Sequence, residues 1–364
     1  MALGAFVDDP EDMVHRRMLK DLCVATYFPT LSPGIAKVKA AQGLLTGQPL
    51  SLAYYRHRGM RRFVARQRAR GIAAEVAYSS AMAPYLKGAA VPTFQDFVDA
   101  DSAKWTAYGK KGSPLKRFIY GREGRLLAKA EARFVAQADR TFLVSPEEAA
   151  TLRARPGVEG GKVDWYRNGV DTDYWRADGQ FKRLNRAVDV VFTGAMDYSP
   201  NVEAVLWFAK KVWPSLVAQT PGLTFVVVGA KPARAITALD GKAGISVTGR
   251  VPDVRPYLAA ARVAVAPLRI ARGVQNKVLE AMAMGTPVVA STGGMTGTAA
   301  SPGELLLVAG PPEETVRALK SDLDDPDMAI KMGAAGSHFI REHYRWRENV
   351  RRLTDALNLA LERR

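Results

Sequence analysis

Pro267–Ser291 reads PLRIARGVQNKVLEAMAMGTPVVAS. The apolar run Arg262–Ala266 before it predicts a strand ending at Pro267. A loop with Arg269, Arg272 and Gly273 follows. A helix is expected over about Gln275–Met284. Gly285 stops it, Pro287 lies beyond, and a second strand covers Val288–Ser291. Strand, loop, helix and strand in that order make one turn of a parallel α/β sheet. Open sheets of this kind bind ligands in the loops at the carboxyl ends of their strands. A helix amino terminus there offers free N–H groups to an anion. Two or three cations and one carboxylate fall at this point. Lys277 and Glu280, three residues apart, share a helix face.

The same alternation continues outward. Strand-like runs at Val188–Phe192, Leu223–Val228, Ile245–Thr248, Val263–Ala266, Val288–Ala290 and Leu305–Val308 are separated by helical stretches, which predicts a doubly wound domain. Toward the amino end, strands are expected at Ala2–Val7, Val24–Phe28, Ala73–Tyr78, Thr93–Val98, Arg140–Val144 and Val163–Tyr166. Helices are expected over Pro33–Leu45, Tyr54–Ala69 and Leu115–Gln137. Asp9 is placed to cap another that starts at Pro10, and Ser145 one that starts at Pro146. The expected divisions are residues 1–167, a hinge and linker over 168–187, a second domain over 188–327, and a helical tail over 328–364. The linker assignment rests on the Asn168-Gly169-Val170-Asp171 turn and the polar, irregular Arg176–Arg186.

Composition narrows the function classes. The chain has 364 residues, 48% hydrophobic and 24% charged, which is ordinary for a globular protein of two domains. A single cysteine, Cys23, excludes an internal disulfide, and one Cys with 4 His argues against a structural zinc site. No apolar run approaches the ~20 residues that span a bilayer, and no signal peptide opens the sequence, so a cytoplasmic protein is expected. The net charge of +16 points to polyanionic partners. No nucleic-acid reading motif is present, so nucleic acid is not an expected partner. Arg56, Arg58, Arg61, Arg62 and Arg66 are concentrated in one helix. They read either as a solvated face or as a docking surface for an anionic membrane. His15, His57, His338 and His343 lack a catalytic setting.

Several stretches together resemble GT-B glycosyltransferases of family 4, and within it the sugar transferases associated with exosortase (PEP-CTERM) exopolysaccharide systems. They are FVDDPED (Phe6–Asp12), GLLTGQPLS (Gly43–Ser51), SSAM (Ser79–Met82), DFVDADSAKW (Asp96–Trp105), NGVD (Asn168–Asp171), FTGAMDYSPN (Phe192–Asn201) and the Arg272–Ala290 block. The resemblance implies two Rossmann-like domains facing a cleft, with the tail crossing back to the first. It implies sugar transfer from a nucleotide-diphosphate sugar to a saccharide acceptor, lipid-linked, at the inner membrane face. Retention at the anomeric carbon is also implied. No Asp-x-Asp pair lies beside a second-domain strand, so transfer without a metal or cofactor is expected. Relatives carry one more strand, a glycine-containing loop and a helix ahead of FVDDPED. The first domain is therefore expected to lack its first strand and helix, either because the gene start lies upstream or because the chain is a shortened, inactive product.

By the same resemblance Glu280 holds the donor ribose, while Arg272, Lys277, Gly273 and Asn276 face the diphosphate. Gly194 lets a phosphate approach the backbone. Arg250 and Val251 line the base pocket, in a loop that also reads as a plain turn with Asp253 capping a helix. Gly293 and Gly294 cover the donor or merely make loop Thr292–Thr298 flexible. Two departures stand out. Many members carry a glutamate separated from the ribose glutamate by seven residues, and that position is Arg272 here. Many carry an Arg and a Lys after the first strand of the second domain, where this chain has Ala195 and Pro200. Arg272 and Lys277 are expected to supply that charge from the other side. Asp99 and Asp101 are the acceptor-side candidates, Asp101 orienting a hydroxyl, taking its proton, or simply capping the helix that starts at Ser102. Trp105 reads as a sugar platform or a core residue, and Asp197 and Tyr198 look toward the same cleft. A nucleotide-sugar epimerase, or a non-catalytic polysaccharide-assembly protein, are the rival readings.

Overall fold

The computed structural model describes residues 1–9, 13–14, 16–110, 113–185, 188–269 and 274–362. The chain divides into two compact units, Met1–Tyr166 with the segment from Arg352 onward, and Arg167–Arg351.

In the first unit, β1 (Ala2–Gly4) leads through α1 (Arg16–Leu22) to β2 (Ala25–Tyr27), its parallel partner. The helix start expected at Pro10 lies outside the described residues. Then come α2 (Pro33–Thr46), α3 (Leu50–Tyr54), α4 (Arg58–Ala69), β3 (Glu75–Tyr78), β4 (Thr93–Val98), α5 (Asp101–Tyr108), α6 (Pro114–Gln137), β5 (Arg140–Leu143), α7 (Pro146–Arg153) and β6 (Val163–Trp165). The last four strands form a parallel sheet in the order β3-β4-β5-β6. The helix expected over Tyr54–Ala69 is broken at its start. His57 Nδ1 accepts from the Met60 N–H at 3.1 Å and caps α4. The Tyr85 hydroxyl accepts from the His57 N–H at 2.9 Å and donates to the Tyr55 carbonyl at 2.6 Å, which holds the break open.

In the second unit the order is β7 (Val188–Thr193), α8 (Ser199–Lys211), α9 (Trp213–Gln219), β8 (Phe225–Val228), α10 (Arg234–Thr237), β9 (Ile245–Val247), α11 (Arg255–Ala260), β10 (Ala261–Ala266), α12 (Asn276–Ala283), β11 (Val288–Ala290), β12 (Leu307–Val308), α13 (Pro312–Asp324), α14 (Pro326–His343) and α15 (Trp346–Asn349). All six strands are parallel, in the order β12-β11-β10-β7-β8-β9. The first strand of the unit lies inside the sheet and the order reverses between β7 and β10, the doubly wound arrangement. Strands such as FVVV (Phe225–Val228) are apolar at every position because helices cover both faces.

Two boundaries differ from those read in the sequence. The described part of 168–187 belongs to the second unit and is packed on it. Val170 is buried and its N–H donates to the Tyr344 carbonyl at 2.6 Å. Trp175, Phe181 and Leu184 lie on the core, and the Arg255 guanidinium sits 3.8 Å from the Tyr174 ring centre. Aromatic residues scattered among the polar ones turn a stretch that looks like a linker into a covering strap. The tail also divides. Its helix α14 stays with the second unit, where Ser337 donates to the Ala283 carbonyl. Only α16 (Arg351–Glu362) joins the first, laying Leu353, Ala356, Leu357 and Ala360 over Phe94, Phe142 and Tyr166. Their spacing of three, four and seven residues makes one apolar helix stripe.

Candidate functional site

The point where the strand order reverses in the second unit carries a built polar cluster. β7 ends at Thr193 and the next residue, Gly194, has φ +148. A Cβ there would lie 2.7 Å from the Asn201 amide nitrogen and 3.3 Å from Lys277 Nζ, so only glycine leaves room. Lys277 reaches across from the first turn of α12. Its ammonium donates to Asn201 Oδ1 at 2.5 Å and lies 4.8 Å from the Phe192 ring centre. Asn201 in turn donates to the Ala195 carbonyl at 2.9 Å. The lysine charge is thereby held at the loop where Ala195 and Pro200 stand. Burial pulls the Lys277 pKa down to about 8, partly offset by Glu280, and pushes Glu280 up to about 7, partly offset by Lys277. The N-cap residue of α12, Gln275, makes no side-chain capping hydrogen bond.

Gly229, at the end of β8, completes this edge. A Cβ on it would lie 1.7 Å from the Gly194 carbonyl oxygen, so two glycine backbones pass in contact. Sequence reading assigned no role to Gly229, which directly follows β8, or to Asn201, in the first turn of α8.

The other donor-side residues separate. Arg272 and Gly273 lie outside the described residues. Asn276 is exposed and its Oδ1 accepts from Asn168 Nδ2 at 3.1 Å. Arg250 is exposed and Val251 half-buried, directly after Gly249 (φ +67), while Asp253 pairs with Arg255 at 2.7 Å. Gly294 is buried, with its Cβ position 2.5 Å from the Ala266 carbonyl and its N–H donating to Ser291 Oγ at 3.1 Å. Packing explains it, and Gly293 is half-buried in the same turn. Asp197 and Tyr198 are exposed.

The first unit has a second cluster at the carboxyl ends of β3 and β4. Two residues other than glycine adopt positive φ there, Ser79 at +78 and Val98 at +67. Such conformations cost about 1–3 kcal/mol each and persist where the surroundings over-determine them. The Ser80 hydroxyl joins the two strand ends by donating to Asp101 Oδ2 at 2.7 Å. Burial raises the Asp101 pKa, with the Ser80 hydrogen bond and Lys104 opposing. Asp99 is half-buried in the same loop. Trp105 is half-buried too, its ring centre 5.3 Å from that of Tyr120, so it belongs to an aromatic group with Tyr108 and Tyr120.

On α4, Arg58, Arg61, Arg62 and Arg66 are exposed on the face opposite Met60 and Phe63, and Arg56 is exposed just before them. Arg68 is different: it pairs with Glu75 at 2.5 Å and donates to the Lys87 and Tyr85 carbonyls. Among the described residues no helix is long and apolar enough to cross a membrane, and no cluster of three or more potential metal ligands occurs.

Residues 187–325 match the family profile described as glycosyl transferases group 1. A GDP-mannose-dependent monoacylated alpha-(1-6)-phosphatidylinositol monomannoside mannosyltransferase from Corynebacterium glutamicum is 30% identical over 159 residues. That match covers 40% of this chain and spans only 42% of the relative's length. Among solved structures, Anabaena Alr3699/HepE in complex with UDP and glucose superposes with a TM-score of 0.66 at 17% identity, covering 98% of this chain and 90% of that one. Sucrose-phosphate synthase from Thermosynechococcus elongatus gives 0.65 at 18% identity over 85% and 81%. The fold is that of the GT-B glycosyltransferases, and its second unit carries the stretch that matches glycosyl transferases group 1.

Proposed function

We propose that this protein is a glycosyltransferase that moves a sugar from a nucleoside diphosphate sugar to a saccharide acceptor. The observation that carries this reading is the Lys277 ammonium fixed by Asn201 against Gly194 at the switch point of the second unit, with Glu280 one turn behind it. A diphosphate needs a cation and backbone N–H groups, which Lys277 and the amino terminus of α12 supply. A ribose diol suits a carboxylate acceptor, the role of Glu280. The motif resemblance assigns Arg272, outside the described residues, a further phosphate charge, and assigns Arg250 and Val251 to the base.

In the transfer, the acceptor oxygen bonds to the anomeric carbon on the face from which the diphosphate oxygen departs, as that bond breaks. The electron pair leaves with the nucleoside diphosphate, whose growing charge Lys277 stabilises. Asp101 orients the acceptor hydroxyl and takes its proton. Retention at the anomeric carbon, a lipid-linked acceptor and a place in exopolysaccharide synthesis accord with the motif resemblance. The exposed arginine face of α4 and the charge of +16 accord with docking on an anionic membrane.

Calorimetric titration with UDP, GDP and ADP tests the reading. One diphosphate should bind, and Glu280→Ala should abolish that binding. No binding of any of the three to the folded protein refutes it. Sedimentation with phosphatidylglycerol vesicles, compared with phosphatidylcholine, tests the arginine face. Arg61→Glu with Arg62→Glu should release the protein, and equal binding to both lipids refutes docking by charge.

A further inference from the structure

The loop that carries Asp101 is gripped from two sides by carboxylates to which the sequence analysis assigned no role. The Ala100 N–H donates to Glu148 Oε2 at 2.9 Å, and the Ser102 N–H donates to Glu131 Oε1 at 3.0 Å. Asp101 is the residue between them. Glu131 is 0% exposed and Glu148 6%. They come from different helices, α6 and α7. The second oxygen of Glu131 accepts from the Ser102 hydroxyl and from Arg155 Nη1, the latter at 2.6 Å. Upstream, Asp96 Oδ1 accepts from the N–H of Val98, the residue held at positive φ, at 2.9 Å. A strained strand end is thus tied to three buried carboxylates within a few residues. Burying a carboxylate is unfavourable unless it is paired and hydrogen-bonded. A packed apolar contact would hold a helix in place equally well, so two such groups converging on the amides that flank one side chain indicate that this loop must not move.

We propose that Glu131 and Glu148 are positioning residues: they fix Asp101 at the carboxyl edge of the first unit by accepting the amide hydrogens on both sides of it. The proposal rests on the reading of Asp101 as the group that handles the acceptor hydroxyl. The charged and polar groups around Asp101 are Ser80 after β3, Lys104 on α5, Glu131 on α6 and Tyr55 before α4; Arg155 faces Glu131. Glu131 is itself pushed up to about 7 by burial, with Ser102 and Arg155 opposing and Asp101 adding to the rise.

The test uses the full chain with Glu131→Ala, Glu148→Ala and the matching Gln variants. Hydrogen exchange of the Phe97–Trp105 segment reads the grip without turnover. Exchange at Ala100 and Ser102 should rise about tenfold or more in the Ala variants and recover in the Gln variants, which keep an acceptor oxygen. With UDP-glucose and GDP-mannose as probe donors, kcat of transfer to water should fall about 10- to 100-fold at unchanged donor KM. Unchanged exchange in both Ala variants overturns the grip. A loosened loop with wild-type kcat overturns the positioning role. Full activity of Asp101→Asn would overturn the reading of Asp101 while leaving the exchange result standing. Should the Ala variants fail to fold, Glu131→Asp and Glu148→Asp, which shorten the reach of each carboxylate, take their place, and wild-type exchange at Ala100 and Ser102 in both overturns the proposal.

Discussion

Nucleoside diphosphate binding should weaken as pH rises from 7 to 9, and Lys277→Met should remove most of that dependence. The Lys277 ammonium is held at Gly194 by Asn201, and burial lowers its pKa to about 8. A lysine with a depressed pKa loses its charge as pH rises through that value. If the diphosphate binds only the ammonium form, the fraction available falls about tenfold between pH 7 and pH 9. Glu280 works the other way. Raised to about 7, it passes from half to fully ionised over the same range, which strengthens a ribose contact by about twofold. The net expectation is a fivefold weakening, roughly 1 kcal/mol. Lys277→Met should bind about 10- to 100-fold more weakly at pH 7, the worth of one hydrogen bond to a charged group. Its affinity should then rise slightly with pH, because only Glu280 titrates. Titration calorimetry in two buffers of different ionisation enthalpy supplies a second readout. Wild type should take up about half a proton at pH 8 on binding, and the variant should not. A flat wild-type affinity from pH 7 to 9, with no proton uptake, refutes the argument.

Gly229→Ala should destabilise the second unit by several kcal/mol and abolish diphosphate binding, because its Cβ would lie 1.7 Å from the Gly194 oxygen; a melting temperature within about 2 °C of wild type counts against it. Glu123→Ala should lower urea stability by about 3 kcal/mol, since Glu123 accepts from the Leu50 and Ser51 N–H groups and the Ser51 hydroxyl while 1% exposed. A loss below about 1 kcal/mol contradicts that account. Asp322 is 3% exposed, its Oδ2 has no partner among the described residues, and burial raises its pKa to about 6. A raised carboxylate favours the fold below its unfolded pKa and loses that stability as pH rises through the folded value. Asp322→Asn should therefore stabilise the protein at pH 8 by on the order of 2 kcal/mol and make little difference at pH 3; equal gains at both pH values would rule this out.

What the sequence made legible was periodic or local. The strand–loop–helix–strand block around Lys277 and Glu280, the alternation through the second unit and the cap at Ser145 all depend on neighbours within a few residues. What it hid depends on distant partners. Lys277 meets Asn201 across 76 positions, and Glu131 meets Ser102 across 29. On a helix, Glu131 and Glu123 look like solvent-facing charges until the amides they accept are known. The 168–187 stretch reads as a linker because polar residues outnumber the aromatic ones that anchor it. Gly294 reads as a cover for a ligand, although its backbone is pressed on Ala266. The loop residues Arg272 and Gly273 remain with the sequence argument alone.

The stripe of α16 over Phe94, Phe142 and Tyr166 has a consequence during synthesis. The apolar patch is finished once Tyr166 is made, but its cover starts at Leu353. The ribosome adds ~5–20 residues per second, so the patch waits ~10–40 s while the whole second unit is made. For that interval the first unit is a sticky fragment within reach of chaperones and of other nascent chains. A premature stop that removes only the last helix would make the interval permanent, and solubility would suffer before any sugar chemistry did.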